Sequence, residues 1–229
     1  MAVEVAFEAK LARAGADVAI TYRNSSREAK ATVKDLSALG VKAIAVKCDV
    51  RDESSVKKMI AETKRRLGGI DVIVNNAGAY ETAEFGKITI AQWDEMFATN
   101  VRGAFLVSQA ATAELRKRKG RIVNVGSLGG IQPWATHAHY CASKAALHML
   151  TQVSAKALAP EITVNCVAPG MIPMDYTTPK SQLKHFAAKT PMQRNGSAND
   201  VAIAVRFLAG TSQFVTGQIL TVDGGLGLA

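Results

Sequence analysis

A tyrosine and a lysine four residues apart, Tyr140 and Lys144, form the pair in this sequence best suited to acid–base chemistry. They lie in a segment, 137–158, whose apolar residues recur at helical spacing. Residues i and i+4 share one helix face, with Cβ atoms about 5–6 Å apart. A nearby ammonium favours phenolate, so we expect the pKa of Tyr140 to lie below its usual value of about 10. Such a phenol can donate or accept a proton near neutral pH.

Ser127 precedes this pair by thirteen residues and follows the strand-like run 121–126. Its hydroxyl could hold a carbonyl or alkoxide oxygen beside the phenol. A single Tyr–Lys pair at this spacing is usually a surface contact, so the chemical interpretation depends on Ser127 and on the rest of the chain. Together the three residues resemble the active site of the short-chain dehydrogenase/reductase family, in which a serine is followed by a YxxxK motif.

Strands and helices alternate along the sequence. Short apolar runs predict strands at 17–22, 42–48, 71–75, 121–126, 162–168 and 218–222. Periodic segments predict helices at 2–14, 25–39, 53–67, 89–118, 137–158 and 198–209, of which 25–39 and 89–118 begin with capping-box spacings (Ser25 with Glu28, Thr89 with Gln92). This alternation predicts one α/β domain over 1–229, a parallel sheet with helices on both faces. The family resemblance makes it a doubly wound, Rossmann-like, three-layer α/β/α fold.

Three further motifs resemble cofactor-binding parts of the same family. Asn75-Asn76-Ala77-Gly78 resembles NNAG, Asp49-Val50 resembles the pair that holds adenine, and Pro169-Gly170-Met171-Ile172 resembles the segment that closes over nicotinamide. Without the resemblance, Asp49 is equally well a helix cap, and Asn-Gly sequences make good turns. Family members usually have a threonine two residues after this isoleucine. Here Pro173 and Met174 follow Ile172, so that threonine is absent. The resemblance implies cofactor contacts for Asp49, Val50, Asn76, Ala77, Gly78, Tyr140, Lys144, Pro169, Gly170 and Ile172.

Arg23 and Asn100 complete the predicted site. NAD-specific members usually place an acid near Arg23 for the ribose hydroxyls, and this chain has none before Glu28. Arg23 could instead face a 2′-phosphate, so NADP is expected over NAD, with a surface arginine as the alternative. Asn100 lies inside a predicted helix, where asparagine costs stability. In the family an asparagine there supports a water chain from the catalytic lysine; a packed or exposed asparagine is the alternative.

The resemblance implies an oxidoreductase that reduces a carbonyl to an alcohol. Ser127 and Tyr140 would hold the carbonyl, Tyr140 would donate the proton, and Lys144 and Asn100 would assist it. The closing segment resembles β-ketoacyl carrier-protein reductases, while sugar, polyol, pteridine and ketone substrates stay open. The expected substrate pocket consists of Tyr80, Leu128, Ile131, Trp134 and the loop 171–186. The alternative function is a non-catalytic relative that acts as a subunit or binding partner.

One part of the family pattern is missing. The family begins with a strand and a glycine-rich TGxxxGxG turn that binds the pyrophosphate, whereas this sequence begins at the helix that follows them. Roughly fifteen residues are involved, and we expect an internal gap in the sheet where that central strand would lie. Either upstream residues are omitted from the sequence, or the protein is a degenerate relative that binds cofactor poorly. The first is favoured because Ser127, Tyr140 and Lys144 are intact.

Composition excludes several other classes. The chain has 229 residues, 48% hydrophobic and 21% charged, and no apolar run reaches the ~18 residues of a membrane span. The first residues include acids and lack a basic signal-peptide start, so a cytoplasmic protein is expected. Three cysteines without metal-ligand spacing predict no metal site. The net charge of +9 concentrates at two helix ends (64–66 and 116–119), so nucleic acid is not an expected partner. Family members often pair through two long helices, here 89–118 and 137–158, so the resemblance implies a homo-tetramer or dimer.

Overall fold

The computed structural model describes residues 2–173 and 178–228. Its helices are α1 Ala2–Ala12, α2 Ser26–Ser37, α3 Glu53–Leu67, α4 Ile90–Phe97, α5 Ala104–Arg118, α6 Ala138–Leu158, α7 Lys180–Lys189 and α8 Ala198–Gly210. Its strands are β1 Val18–Tyr22, β2 Ala43–Lys47, β3 Val72–Asn75, β4 Arg121–Val125, β5 Thr163–Pro169 and β6 Ile219–Val222. All strand pairs are parallel, so the predicted α/β class is confirmed.

Helices cover both faces of the main sheet because successive residues of its strands point to opposite sides. Ile122 of β4 joins an apolar cluster with residues of α3, α5 and α6, among them Val56 and Leu115. The next residue, Val123, joins a separate cluster with α1 and α8, represented by Phe7 and Val205. The three layers predicted from the alternation of strands and helices are therefore present.

The sheet is split between β1 and β3. The strand order is β1-β2 in one sheet and β3-β4-β5-β6 in the other. Both β1 and β3 thus have one edge without a strand partner in the part of the chain that is described. A cavity of ≈ 1280 Å³ lies along these edges, lined by residues of both strands. The expected internal gap is therefore confirmed.

The predicted helix 89–118 is not continuous. It begins at the expected capping box, in which the Thr89 hydroxyl accepts from the backbone N–H of Gln92 and the Gln92 side chain accepts from that of Thr89. After Phe97 the backbone forms a π-helical segment, Ala98–Gly103, before α5 resumes. Single π-turns of this kind often mark functional positions, and this one contains Asn100.

Two other predictions about helices are wrong. The Ser25 side chain makes no capping hydrogen bond to α2, so the box expected with Glu28 is not formed. Helix α7 lies where a loop was expected; none of its residues is buried, so no core-facing apolar pattern marks it in the sequence. At α8, Ser197 and Asp200 form a capping box that the sequence analysis did not single out.

The basic runs lie at helix ends, as predicted. Lys64–Arg66 occupy the last turn of α3, which ends at Gly68 with φ 83°, a left-handed conformation that glycine adopts easily. Residues 116–118 likewise form the last turn of α5. Cys48 and Cys166 are buried and unpaired. Among the described residues, no helix is long and apolar enough to cross a bilayer, and no three potential metal ligands cluster.

Candidate active site

Helix α6 lies along β4 and holds the end of that strand through successive polar contacts. Thr151 accepts from the Asn124 side-chain amide at 2.8 Å, and Lys144 Nζ donates to the Val125 carbonyl at 2.8 Å. Ser127 follows the strand and begins the turn 128–130, where its Oγ accepts from the Gly129 backbone N–H at 3.1 Å. The predicted serine and the predicted YxxxK helix are therefore brought together by direct contacts.

Tyr140 is buried beside Ser127, and the two side chains form a hydrogen bond. Lys144 lies on the same side of α6, with Nζ 5.9 Å from the centroid of the phenol ring. Burial raises the pKa of Tyr140 to about 12, while the hydrogen bond with Ser127 acts in the opposite direction. The expected lowering of the Tyr140 pKa is therefore wrong, because desolvation of the phenolate outweighs the hydrogen bond with Ser127.

Lys144 is itself buried, and burial lowers its pKa to about 8. Gly78, in the turn after β3, lies close by: a Cβ at this position would be 3.7 Å from Lys144 Nζ and 3.3 Å from Asn100 Oδ1. The turn that carries the NNAG motif therefore meets the lysine and the asparagine at one point.

Asn100 is 1% exposed and bonds to two other elements. Its Oδ1 accepts from the Ala79 backbone N–H at 2.7 Å, and its Nδ2 donates to the Ala79 carbonyl at 3.0 Å and to Ser143 Oγ at 2.9 Å. The π-helical backbone around it tolerates these contacts, which tie the turn after β3 to α6. Asn100 is thus placed to fix the geometry around Lys144; its part in a water chain stays a prediction.

Aromatic side chains surround the Tyr140 ring. Tyr80 packs edge-on at 5.0 Å and Trp134 stacks at 6.0 Å between ring centroids. The Tyr80 hydroxyl also hydrogen-bonds His137 Nε2 at 2.7 Å. Of the other predicted pocket residues, Leu128 is buried and Ile131 is exposed. Within the predicted loop 171–186, residues 174–177, including Met174, lie outside the described residues.

Six predicted cofactor residues line the cavity at the split in the sheet: Arg23, Asp49, Val50, Asn76, Ala77 and Gly78.

Arg51, which the sequence analysis did not single out, donates to the Asp49 carboxylate through Nε at 2.9 Å and Nη2 at 2.6 Å. The Asp49 pKa falls to about 2, mainly through this bond. Arg51 also contacts Glu95 at 2.6 Å, whereas Arg23 Nη1 lies 3.9 Å from Glu95. The Arg23 guanidinium therefore lies beside the cavity and makes only a long contact with the Glu95 carboxylate.

The remaining predicted cofactor segment lies at the end of β5 and does not line this cavity. The Gly170 N–H donates a hydrogen bond to the Val222 carbonyl at 3.0 Å. A Cβ on Gly170 would lie 2.6 Å from the Cβ of Asp223, so only glycine allows this close approach. Pro169 ends β5, and Ile172 packs against the α1/α8 core. Their contact with a cofactor stays a prediction.

His148 is a site residue that sequence reasoning missed. It lies one helical turn beyond Lys144, and its Nε2 is 3.4 Å from the Ser127 backbone nitrogen. The signal was present, because Tyr140, Lys144 and His148 follow one another at intervals of four. Ser143 was missed as well, since its role as the partner of Asn100 depends on the bent backbone at 98–103.

Comparison with known proteins agrees with this site. A family model described as enoyl-(acyl carrier protein) reductase matches residues 4–227. The chain belongs to the short-chain dehydrogenase/reductase family. It is therefore related over nearly its whole length to enzymes, and the family resemblance drawn from Ser127, Tyr140 and Lys144 is confirmed.

Individual family members show how near the likeness is. The chain is 38% identical over 222 residues to a 3-oxoacyl-[acyl-carrier-protein] reductase of Staphylococcus aureus, covering 95% of this chain and 90% of the relative. A blue fluorescent protein from a metagenomic library, solved with NADPH, superposes with a TM-score of 0.92 at 35% identity and covers 99% of this chain and 94% of its own. A gluconate 5-dehydrogenase from Burkholderia cenocepacia, solved with NADP and tartrate, gives 0.93 at 31% identity, covering 100% and 92%.

Proposed function

We propose that this protein is an NADP-dependent carbonyl reductase in which Tyr140 donates the proton to the reduced oxygen. The observation that carries the proposal is the contact set around one phenol. Ser127 hydrogen-bonds Tyr140, and Lys144 Nζ lies 5.9 Å from the ring on the same helix face. A carbonyl oxygen between the two hydroxyls would accept a hydrogen bond from each, which stabilises the charge that develops during reduction.

The high pKa of Tyr140 suits the reduction direction. With a pKa of about 12, the phenol keeps its proton at pH 7 and is available as a general acid. Lys144 is held against the Val125 carbonyl at 2.8 Å, so its amine stays near the phenol. Asn100 fixes the adjacent turn through both of its side-chain atoms. NADPH, when bound, supplies the hydride.

The cavity at the split in the sheet fits a phosphorylated dinucleotide. Asn76, Ala77 and Gly78 line it at one end, close to Lys144, and Asp49 and Val50 line it further along. Arg23 adds a cation at its margin that is 3.9 Å from its nearest carboxylate, and a 2′-phosphate would be the stronger partner for it. One similar structure contains NADPH and another contains NADP, which supports the choice of this cofactor.

The substrate class we propose is a 3-oxoacyl thioester or a related ketone. The name of the Staphylococcus aureus relative supports this class, and so does the apolar ring wall of Tyr80 and Trp134 around Tyr140. A panel of β-ketoacyl, sugar, polyol and simple ketone substrates, assayed with NADPH and with NADH, ranks the alternatives. Higher kcat/KM for a sugar than for every acyl substrate would contradict the proposed class.

Replacement of Tyr140 by phenylalanine tests the mechanism. The variant keeps the ring that packs between Tyr80 and Trp134, so we expect native circular dichroism and unchanged NADPH affinity. Turnover should fall by about 10²–10⁴-fold, the usual effect of losing a general acid. Cys141→Ser is the matched control, because this neighbour faces the Gln132 carbonyl at 4.0 Å, and its kcat should stay within about threefold. Equal turnover in Tyr140→Phe and wild type would remove Tyr140 from the mechanism.

The split sheet supports a second candidate, a family member that binds no cofactor and acts as a subunit or binding partner. The cavity between β1 and β3 interrupts the sheet next to the proposed cofactor residues. Titration with NADPH, followed by quenching of tryptophan fluorescence and by calorimetry, separates the two. Saturable binding that Arg23→Ala weakens for NADPH more than for NADH supports the reductase. No detectable binding of either cofactor supports the second candidate.

A further inference from the structure

His148 occupies the space directly behind the loop that carries Ser127. The ring is 8% exposed, and its two nitrogens have different partners. Nε2 accepts from the backbone N–H of Ser127 at 3.4 Å. The ring also hydrogen-bonds the backbone of Gly130, and Nδ1 is the ring nitrogen on that side, 2.9 Å from where a Gly130 Cβ would lie. One imidazole thus joins both ends of the turn 128–130.

Two glycines leave room for this ring. A Cβ on Gly126 would collide with His148 Nε2, and a Cβ on Gly130 would lie 2.7 Å from His148 Cε1. Protein interiors are close-packed, so neither position accepts a side chain while the ring stands between them. Gly126 and Gly130 lie on either side of Ser127 in the sequence. The loop can therefore pack against the His148 ring only because both positions lack a side chain.

The register between α6 and the loop explains why a histidine reaches Ser127. Four residues advance a helix by about 6 Å, and two residues advance an extended chain by about 6.6 Å. Consecutive turns of α6 therefore meet every second residue of the extended backbone. Lys144 holds the carbonyl of Val125, and His148, four residues on, holds the N–H of Ser127.

We propose that His148 is a positioning residue, which fixes the Ser127 hydroxyl against Tyr140 by accepting the Ser127 N–H while donating to Gly130. This inference rests on the proposed function, in which the Ser127 hydroxyl holds the reacting oxygen. The two hydrogen bonds require a neutral ring with the proton on Nδ1, because imidazolium has no acceptor. The ionisable groups that face the ring are Lys144 from α6 and Cys166 from β5. Burial and the Lys144 charge lower the His148 pKa to about 4, which keeps the ring neutral.

Three substitutions separate the two hydrogen bonds. The amide of His148→Gln reaches the position of Nε2 and can still accept from Ser127. The amide of His148→Asn reaches only the position of Nδ1 and can still donate to Gly130. His148→Leu keeps a similar volume and removes both bonds.

We expect kcat to fall about tenfold or more in the Asn and Leu variants and to stay within about threefold of wild type in His148→Gln, since small misplacements of a reacting group cost that much. The KM for NADPH should change less than about twofold in all three. The basic limb of the pH–rate profile should move to higher pH in the Asn and Leu variants, because the Ser127 hydrogen bond lowers the Tyr140 pKa. Equal kcat in all three folded variants, with only their melting temperatures reduced, would overturn the proposal.

Two measurements decide the inference without turnover, so its failure is distinct from failure of the proposed function. In ¹⁵N-labelled protein at pH 7, we expect His148 Nδ1 to be protonated and Nε2 to be unprotonated. The Ser127 amide should exchange with deuterium about tenfold or more faster in His148→Asn than in His148→Gln, because only the glutamine retains the acceptor. A proton on Nε2, or equal exchange in the two variants, would overturn the proposal even if the enzyme proves inactive.

Discussion

At the residue scale, the site is built from side chains that hold backbone atoms. Lys144 bonds the Val125 carbonyl, Asn100 bonds both polar atoms of the Ala79 backbone, and His148 bonds the Ser127 N–H. These contacts fix the loop that carries the Ser127 hydroxyl and the turn that forms part of the cavity wall. The positions of Ser127 and Tyr140 therefore depend on residues that need not touch a substrate.

Burial of His148 predicts a loss of stability in acid. Its folded pKa of about 4 lies below its ordinary value of 6.5, so between these pH values the unfolded chain binds a proton that the folded chain does not. Stability should therefore fall as the pH drops through this range, by about 2 kcal/mol between pH 7 and pH 5. Urea unfolding at both pH values measures this loss.

His148→Gln is the comparison that isolates this effect. The Asp49 carboxylate, with a pKa of about 2, stays ionised at pH 5 in both proteins and contributes equally. The glutamine variant should thus lose about 2 kcal/mol less than wild type between pH 7 and pH 5. Identical losses in the two proteins would mean that His148 titrates normally in the folded state.

Residue types and spacing were enough to predict which side chains meet, but not their ionisation. Ser127, Tyr140 and Lys144 lie together as the motif indicates, because i and i+4 positions of α6 face the end of β4. The direction of the Tyr140 pKa was wrong, since spacing shows the nearby amine and does not show how deeply the phenol is buried. His148 escaped notice for a related reason: its spacing from Tyr140 and Lys144 was visible, but its hydrogen-bond partner in the Ser127 loop was not.

At the element scale, caps and helix interruptions position the site. The long segment 89–118 was predicted as one helix because its apolar residues keep a helical period throughout. The π-helical turn at Ala98–Gly103 adds one residue to that period, and this turns Asn100 toward Ala79 and Ser143. Such an insertion leaves no mark in the residue types themselves, so only the folded backbone reveals it.

Two serines before helices offer a matched test of capping. The Ser197 hydroxyl accepts from the Asp200 N–H at 3.2 Å, whereas the Ser25 hydroxyl makes no capping bond to α2. We expect Ser197→Ala to lower the free energy of unfolding by about 1 kcal/mol and Ser25→Ala to change it by less than about 0.5 kcal/mol. Urea denaturation of the two variants gives both values.

Ser197 and Ser25 also test whether the free energy of unfolding depends on the capping hydrogen bond or only on the presence of a serine. Ser197→Asp keeps a good capping residue but places a second carboxylate near Asp200, so part of the stability should return only when salt is added. A loss in Ser25→Ala as large as that in Ser197→Ala would contradict the assignment of these caps.

At the scale of the whole molecule, the split sheet should show in hydrogen exchange. Strands β4 and β5 have partners on both sides, while β1 and β3 have one partner each among the described strands. Backbone amides of β3 that face the cavity lack a strand partner and should exchange faster than those of β4. The outer strand β6, which also pairs on one side only, is the internal control. Protection of every β3 amide at the level of β4 would contradict an open cleft.

The doubly wound architecture was predictable from the order of strands and helices, since each parallel crossover needs a helix. The split between β1 and β3 agrees with the gap expected from the family resemblance. The shape of the cleft and the residues that line it could not be predicted from the sequence, because they depend on the distance between β1 and β3.

An exposed apolar face on α5 and α6 supports a prediction about assembly. Met149 and Val153 of α6 are 58% and 56% exposed, and Phe105 of α5 is 44% exposed. Burying such side chains between two copies gains about 25 cal/mol per Å² of apolar area. We therefore predict a dimer or tetramer that pairs through the α4–α5 segment and α6.

Charge placed on this face tests the assembly. Met149→Lys with Val153→Lys should reduce the mass seen by light scattering after gel filtration, because an unpaired charge buried between copies costs several kcal/mol. Leu39→Lys is the control: this leucine is also exposed, but it follows α2 on another part of the surface. The control should keep the wild-type mass. A wild-type protein that elutes as a monomer at micromolar concentration, or a double variant with unchanged oligomeric mass, would rule out pairing through α6.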